Sequence, residues 1–521
     1  MSGITLIQCP VWSVDYPNIG IASLTAYLRS KGYQVCPIDF NIEFYYNSDQ
    51  EIKDEFYHRE IWSYENFKIK IEPIIENNLN SWCERIINIG NRIIGFSVQS
   101  KSLRSSLMLA KKIKETDEKK IIVFGGPSCS AIESRESVNI PEVFSKKIVD
   151  AVVIGEGEKS LEELLSIVKR EGKLKECSGV KIRSGSIVVD GGERPLIDNL
   201  DLLPFADYKD YDLSKYIKAN SFPISTSRGC PFSCTFCSER LFWRRYRYRS
   251  AENILKELKL RVKQGHNNFV MTDSLINGNI SELSKLCDLI TKSKLKIIWG
   301  GNVKANQKMD RKIFKKMRDA GCEWLCFGIE SGSDKILKSM NKGFNSKTAH
   351  ENLKNSYKNE IFNLVNIIVG FPGESRWNFL ETLLFLFKNR RYIGAIGNLG
   401  HCYIYPETEL HKNHENYNVK IINDNFWISR DGKNNYYEEA LRLNFFNKFV
   451  KFIGINTEFS SYNIENDYRN IAVFYLCMKD YKKSLKFLKL AVSKNQNDEW
   501  AKKMLDDVIK KAIIINSNEI E

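Results

Sequence analysis

Two successive series of short apolar runs, each run followed by an amphipathic segment, constrain the fold of this chain more than any other feature. From residue 3 to about residue 165, ITLIQC, QVCPID, IIGFS, KIIVFG and VDAVVI predict five buried strands. Their unbroken apolarity suits a parallel sheet covered on both faces. Between the first two, Ile21, Leu24 and Leu28 recur at helical spacing and Gly32 offers a stop; between the third and fourth, Leu103, Leu107, Ala110 and Ile113 do likewise. Such alternation implies right-handed crossovers and a doubly wound, Rossmann-like parallel sheet, with its ligand site beyond the carboxyl ends of the strands. The candidate binding residues at those ends are Asn18 after strand one, Ser97 and Gln99 after strand three, Gly125 and Gly126 after strand four, and Gly155, Glu156 and Gly157 after strand five. Glycines there let the backbone approach a ligand closely, and the alternative reading is that they only turn the chain into the next helix.

Residues 166–220 are less regular, and GGERPLIDNLDLLPFADYKDYD predicts an extended connector. A second alternation fills residues 221–412, where PISTSR, NNFVMT, LKIIWG, WLCFGI, LVNIIVG and NLGHCYIY are strand candidates separated by helical segments. Six strand-helix units are too few for a closed eight-unit barrel and predict a partial (β/α)6 barrel, with active residues at strand carboxyl ends. The remainder, residues 413–521, predicts a helical region. There Ala472, Tyr475, Tyr481, Leu488 and Ala491 follow the spacing of one tetratricopeptide unit, which cannot bury its own face alone and is read as a cap on the barrel. The chain thus reads as an α/β protein of four regions, 1–165, 166–220, 221–412 and 413–521.

A length of 521 residues with 43% hydrophobic and 27% charged residues has ample material for buried cores, which excludes disorder for most of the chain. The net charge of +14 is spread over the whole chain and is read as a solvated basic surface rather than a nucleic-acid interface. No apolar stretch approaches the length of a membrane span, and MSGITLIQCPVW lacks the pattern of a signal peptide, so the expectation is a cytoplasmic protein with no membrane partner. Thirteen cysteines are then expected as thiols or metal ligands.

Ten of them look scattered and three do not. SRGCPFSCTFCSER places Cys230, Cys234 and Cys237 in a CxxxCxxC loop directly after a predicted strand. Three thiolates this close in sequence can converge on one soft metal centre. Zinc would normally recruit a fourth cysteine or histidine at paired spacing, and the HxxH of His411 and His414 reads more simply as solvated. A four-iron cluster held by three cysteines keeps one iron free to bind a ligand.

In its cysteine spacing, the aromatic Phe236 before the last cysteine and the strand-loop placement, the chain resembles the radical S-adenosylmethionine (radical SAM) superfamily. The resemblance implies a [4Fe-4S] cluster on Cys230, Cys234 and Cys237 and SAM as its ligand. FVMTDS is similar to the second strand of that family, whose polar end meets the methionine amine, with Asp273 and Ser274 as candidates; Ser274 departs from the second acid common there. GIESGSDKILKSMNKG is similar to the fourth strand and its turn, with Glu330 and Ser331 placed for the ribose or carboxylate. NIIVGFPGES is similar to the fifth, where Ile368 and Gly370 would contact adenine and Glu374 support the loop. HCYIYPETEL is similar to the sixth, putting Tyr403 or Ile404 near the base, and Lys304 stands where a basic residue would meet the SAM carboxylate.

PNIGIASLTAYLRSKGYQVCPIDFN, GFSVQSKSLRSSLMLAKKIK, VFGGP and VDAVVIGEGEKSLEELL resemble the cobalamin-binding domain fused to many of these enzymes. The chain has no DxHxxG, so no histidine from that motif would reach the lower face of cobalt. Together the resemblances imply a cobalamin-dependent radical SAM C-methyltransferase. In it a 5'-deoxyadenosyl radical takes hydrogen from an unactivated carbon of a small-molecule or peptide substrate, methylcobalamin delivers the methyl group, and flavodoxin or ferredoxin supplies electrons. Two readings stay beside it: a cobalamin-linked cyclase or rearrangement enzyme, and a non-catalytic metal-binding adaptor whose helical tail recruits a partner. The aromatic and arginine-rich LFWRRYRYRS, with Phe242, Trp243, Tyr246 and Tyr248, is read as packing around the cysteine loop.

Overall fold

A computed structural model of the chain describes residues 3–56, 67–129, 140–423, 425–460, 462–496 and 498–518. Two compact units divide it: Met1–Gly229 with Leu241–Val270, and Cys230–Arg240 with Met271–Glu521.

In the first unit the five expected strands are β1 (Gly3–Gln8), β2 (Gln34–Asp39), β3 (Ile93–Ser97), β4 (Ile121–Gly125) and β5 (Ala151–Val153), linked in part by α1 (Ile19–Ser30) and α2 (Leu103–Thr116) and followed by α3 (Gly157–Glu171). They pair in parallel in the order β2-β1-β3-β4-β5. Alternate side chains explain the apolar runs. Ile7, Ile94, Phe96, Ile122 and Phe124 enter one core, and Ile4, Leu6, Ile93, Ile121 and Val123 enter the other. This strand order reverses direction between β1 and β3, the switch point at which such sheets bind ligands.

The sheet is not wholly parallel. β6 (Val180–Ser184) and β7 (Ile187–Asp190) form an antiparallel hairpin that extends it beyond β5, inside the stretch expected as connector. β7 lies on the edge with Ile187 and Val188 exposed, so it lacks the continuous apolar signal of a buried strand.

The second alternation forms a six-stranded sheet of β8 (Phe222–Ile224), β11 (Asn268–Met271), β12 (Ile298–Val303), β13 (Cys322–Glu330), β14 (Phe362–Val369) and β15 (Ala395–His401), in the order β15-β14-β13-β12-β11-β8. The six expected strands are present, but PISTSR is divided. Only Phe222–Ile224 joins the sheet, while β9 (Ser227–Arg228) pairs antiparallel with β10 (Arg247–Tyr248). The cysteine loop therefore leaves from this small ribbon. The intervening helices are α4 (Ala251–Lys263), α5 (Ile280–Lys292), α6 (Arg311–Asp319), α7 (Ser346–Tyr357) and α8 (Arg376–Asn389). Side chains of Ser250, Asn279, Asp310, Asn345 and Ser375 accept their first free backbone N–H groups.

Beyond residue 412, where the strand pattern fades in sequence, β16 (Val419–Asn423) and β17 (Phe426–Ser429) form a hairpin before α9 (Tyr436–Phe452), α10 (Tyr468–Cys477), α11 (Tyr481–Lys494) and α12 (Glu499–Asn518). The tetratricopeptide-like face, Ala472, Tyr475 and Leu488, packs in one cluster with Phe426, Tyr436 and Ala440. Its missing stacked repeat is thus replaced by α9 and β17. Among the described residues no helix is long and apolar enough to cross a membrane.

Candidate functional site

Cys230, Cys234 and Cys237 are free, half-buried thiols, and neighbouring elements moor their loop. Thr235 donates its backbone N–H to the Met340 carbonyl (3.1 Å) and accepts from Leu410 N (2.8 Å), while Asn341 Nδ2 donates to the Ser233 carbonyl (2.9 Å). Phe236 packs with Ile336, Met340, Phe371 and Ile404, its ring 6.4 Å from that of Phe371. Its role in this structure is to anchor the loop in an apolar cluster.

Burial pushes the Cys230 thiol up, and pushes Cys237 up to about 12; in both, charge on Cys234 adds to the effect. The three thiols thus sense one another and need a cationic centre to ionise. Among the described residues, no group of three or more histidine, cysteine or acidic side chains closes around a single metal ion. Three coupled thiols on one short loop are a ligand set of the kind that holds an iron-sulfur cluster.

A buried cation stands beside them. Lys304, just beyond β12, has its Nζ 3.3 Å from the Phe232 ring centroid and no hydrogen-bond partner. Burial pulls it down to about 8, with Cys234 and Cys230 opposing. An unpartnered buried ammonium is costly until an anion arrives, so this position fits a carboxylate or thiolate-rich ligand.

Glu330 ends β13 with φ +66°, after a break of register between Gly328 and Glu330, and its buried carboxylate meets Lys342 Nζ at 3.3 Å. Burial pushes this carboxyl up against the pull of Lys342. Backbone strain of this kind in a non-glycine residue at a strand end clusters at functional sites. Ser331 is turned inward, 3.1 Å from Thr382 Oγ1 and accepting from Ser333 N, so its hydroxyl fastens the turn to α8. Asp273 is buried and its carbonyl accepts from Asn302 Nδ2 (3.1 Å). Ser274 donates to Glu239 of the cysteine loop, so a carboxylate from a different segment reaches Ser274.

At the end of β14 the Gly370 N–H donates to Glu374 Oε2 (2.9 Å), and Arg442 Nη1 donates to the same oxygen (3.1 Å). Gly370 has φ +84°, and a Cβ there would lie 2.2 Å from Glu439 Cγ, so only glycine fits. Burial pushes Glu374 up to about 7, with Arg442 opposing. After β15, Ile404 is buried beside Phe236 while Tyr403 is half-buried; Ile368 packs against the same cluster. His401 Nδ1 lies 3.0 Å from Glu439 Oε2, Nε2 lies 3.6 Å from Asp467, and the ring stacks on Tyr436 at 4.4 Å. Burial disfavours its charge, but the Asp467 and Glu439 carboxylates push it up to about 10, an imidazolium. His414 Nδ1 lies 3.0 Å from the Val419 carbonyl and neither it nor His411 belongs to a metal-holding group among the described residues.

In the first unit, Asn18 Nδ2 donates to Gln8 Oε1 (2.5 Å) and lies 3.4 Å from Ser97 Oγ, which places these three polar groups at the β1/β3 switch point. Asn18 Oδ1 also caps α1. Gly126 has φ +104° and a Cβ there would lie 2.7 Å from the Val98 carbonyl oxygen; Gly125 pairs with Ser97. Gln99 N donates to Ser102 Oγ (3.1 Å) and begins the turn into α2. The loop after β5 is different. Glu156 accepts from Arg228 (2.6 Å) and Arg247 (2.8 Å), which hold its carboxyl low despite burial, so it braces the ribbon leading to Cys230. Gly155 has φ +78°, and Gly157 packs α3 closely on Leu24 of α1. Trp243 lies over the Arg228 guanidinium (5.5 Å) and against Gly229, which accounts for part of the aromatic segment as packing.

Gln8, Glu239, Asn341, Lys342, Glu439 and Arg442 are not singled out by sequence reasoning. The short strings NKG and CSE carry some of them, but no local spacing marks pairs that meet only through the fold.

Comparison with known proteins converges on the same region. The pattern of the Radical SAM superfamily matches residues 224–386. An uncharacterized methyltransferase of Pyrococcus horikoshii is 31% identical over 303 residues, which is 57% of this chain and 64% of that relative. The radical S-adenosylmethionine methyltransferase TsrM from Kitasatospora setae, with cobalamin and a [4Fe-4S] cluster bound, superposes with TM-score 0.60 at 16% identity over 79% of this chain and 77% of its own. The cobalamin-dependent S-adenosylmethionine radical enzyme OxsB, with aqua-cobalamin and SAM bound, gives TM-score 0.62 at 19% identity over 98% of this chain and 75% of its own. At these identities the structural likeness is one of fold. The matched residues 224–386 take in the moored three-cysteine loop and the sheet from β11 to β14, so it is this part of the chain that is similar to the Radical SAM superfamily.

Proposed function

We propose that this protein is a cobalamin-dependent radical SAM C-methyltransferase acting on an unactivated carbon. The observation that carries the reading is the juxtaposition, in one unit, of three interacting thiols with the buried, unpartnered Lys304 ammonium. When bound, a [4Fe-4S] cluster supplies one electron for cleavage of the SAM sulfonium, and cobalamin carries the methyl group.

The residues of the chain have definable tasks. Cys230, Cys234 and Cys237 hold the cluster, and Phe236 with Thr235 fixes the loop. Lys304 receives an anionic group, the SAM carboxylate being the fitting one, and Asp273 with the Ser274–Glu239 pair receives the amine. Glu330 and the backbone edge at Ile368 and Gly370 bound the nucleoside side, with Tyr403 and Ile404 beside them. Ser331 acts through the turn it fastens. In the first unit Asn18, Gln8, Ser97, Gln99, Gly125 and Gly126 form the cobalamin cradle at the switch point, and Gly155, Glu156 and Gly157 shape its rim. The substrate is a small molecule or peptide, and a flavodoxin or ferredoxin supplies electrons in the cytoplasm.

The test is turnover of the anaerobically reconstituted protein with methyl-labelled SAM against a metabolite and peptide extract. A labelled product heavier by one CH2, with 5'-deoxyadenosine formed, supports methylation. Loss of hydrogen without carbon gain moves the assignment to a cyclase or rearrangement enzyme, and absence of SAM cleavage leaves the adaptor reading.

A further inference from the structure

The outer face of α8 is apolar where a crossover helix would normally be polar. Trp377, Leu380, Leu384 and Phe387 are all exposed, Trp377 by 77% and Leu384 by 55%. At 3.6 residues per turn these four fall within about 80° of one another, a continuous stripe along the helix. On another side of α8 the buried Phe379 contacts Phe445 of α9 at 6.4 Å, and Phe445 is itself 53% exposed. Scattered exposed apolar residues need no explanation, but a continuous stripe of four large apolar side chains along one helix marks an interaction surface.

The charges on and just after α8 are basic but for Glu381. Arg376 and Lys388 flank it on α8, Arg391 follows just beyond the helix, and Lys448 and Lys451 lie on the exposed face of α9. None of the five makes an ion pair with a described residue. Glu381, the acid on the exposed face of α8, is engaged by Ser333 and Asn378.

We propose that this face docks the protein on an anionic lipid surface, lying on the membrane without crossing it. Aromatic and aliphatic side chains enter the headgroup boundary while flanking lysines and arginines meet lipid phosphates. A second copy fits less well, because a two-fold contact would set one basic rim against an identical one.

The experiment is flotation of the full chain, purified anaerobically, with vesicles of phosphatidylglycerol and phosphatidylcholine or of phosphatidylcholine alone. The wild type is expected to float with the anionic vesicles, less so in high salt, and hardly with the neutral ones. Trp377→Glu with Leu384→Glu should abolish flotation at an unchanged melting temperature, and each of Lys388→Gln and Arg391→Gln should weaken it about fivefold. The proposal fails if the wild type ignores anionic vesicles, or if the double variant floats as well. It fails equally if the wild type sediments as a dimer that the double variant dissociates while neither binds vesicles, which would make a second copy the occupant. Capture by polyglutamate without vesicle binding would assign the face to an acidic protein and also overturn it.

Discussion

Replacing Arg442 by Met should uncouple the buried brace behind Gly370. The Arg442 side chain is 10% exposed and that of Glu374 2%, and the guanidinium donates to both the carboxylate and the carbonyl of Glu374. Without it the Glu374 carboxylate keeps the Gly370 N–H but faces the Glu439 carboxyl in an apolar surround. Removing one partner of a buried ion pair costs about 3–5 kcal/mol. At about 2–4 °C per kcal/mol for a unit of this size, Arg442→Met should melt about 6–20 °C below the wild type at pH 8. The pH dependence has a definite sign. The carboxyl of Glu374 is raised by burial to about 7 in the folded state, above its ordinary value, so the folded protein holds a proton the unfolded chain releases. The stability this contributes is full below the unfolded value and is lost as pH rises through the folded one. Arg442 opposes the upward shift, so the variant should lose little at pH 5 and the full amount at pH 8. Adding Glu374→Gln removes the uncompensated charge and keeps an acceptor for Gly370, and should recover more than half of the loss. Differential scanning fluorimetry at both pH values measures this. A variant that melts with the wild type at pH 8, or that loses more at pH 5, would refute the reasoning.

Other substitutions separate binding from folding. Lys304→Met should leave the melting temperature unchanged or higher, since it removes an unpartnered buried ammonium, while SAM binding by equilibrium dialysis weakens at least tenfold. Gly126→Ala places a Cβ 2.7 Å from the Val98 carbonyl at φ +104°, and retention of hydroxocobalamin after desalting should fall while the cluster spectrum persists. Glu239→Gln should weaken SAM binding without lowering iron content, because the thiols remain; loss of iron in step with SAM would place Glu239 in loop folding instead.

Legibility in the sequence follows burial and locality. Most strands of the first sheet are continuous apolar runs because both faces are covered, and those of the second sheet keep an alternating apolar face, whereas β6, β7, β16 and β17 sit at edges or in small hairpins and leave little pattern. The cysteine loop is legible because its ligands are neighbours in sequence, and Gly370 and Gly126 because glycine at a strand end is a local backbone demand. Glu156 looks like part of a ligand loop, yet its partners are Arg228 and Arg247, 72 and 91 residues away. Ser274 looks isolated in sequence, yet its hydroxyl donates to Glu239, 35 residues earlier. His401 similarly finds Glu439 of α9 and Asp467, just before α10, only through packing. Pairings of this range are properties of the fold and no local spacing encodes them.

The account stands most directly on what the three thiols hold. Electron paramagnetic resonance of anaerobically reconstituted, dithionite-reduced protein should show a reduced four-iron signal that changes when SAM is added and disappears in Cys234→Ala. A spectrum of mononuclear iron alone, or zinc at those thiols with no iron-sulfur signal, would contradict it.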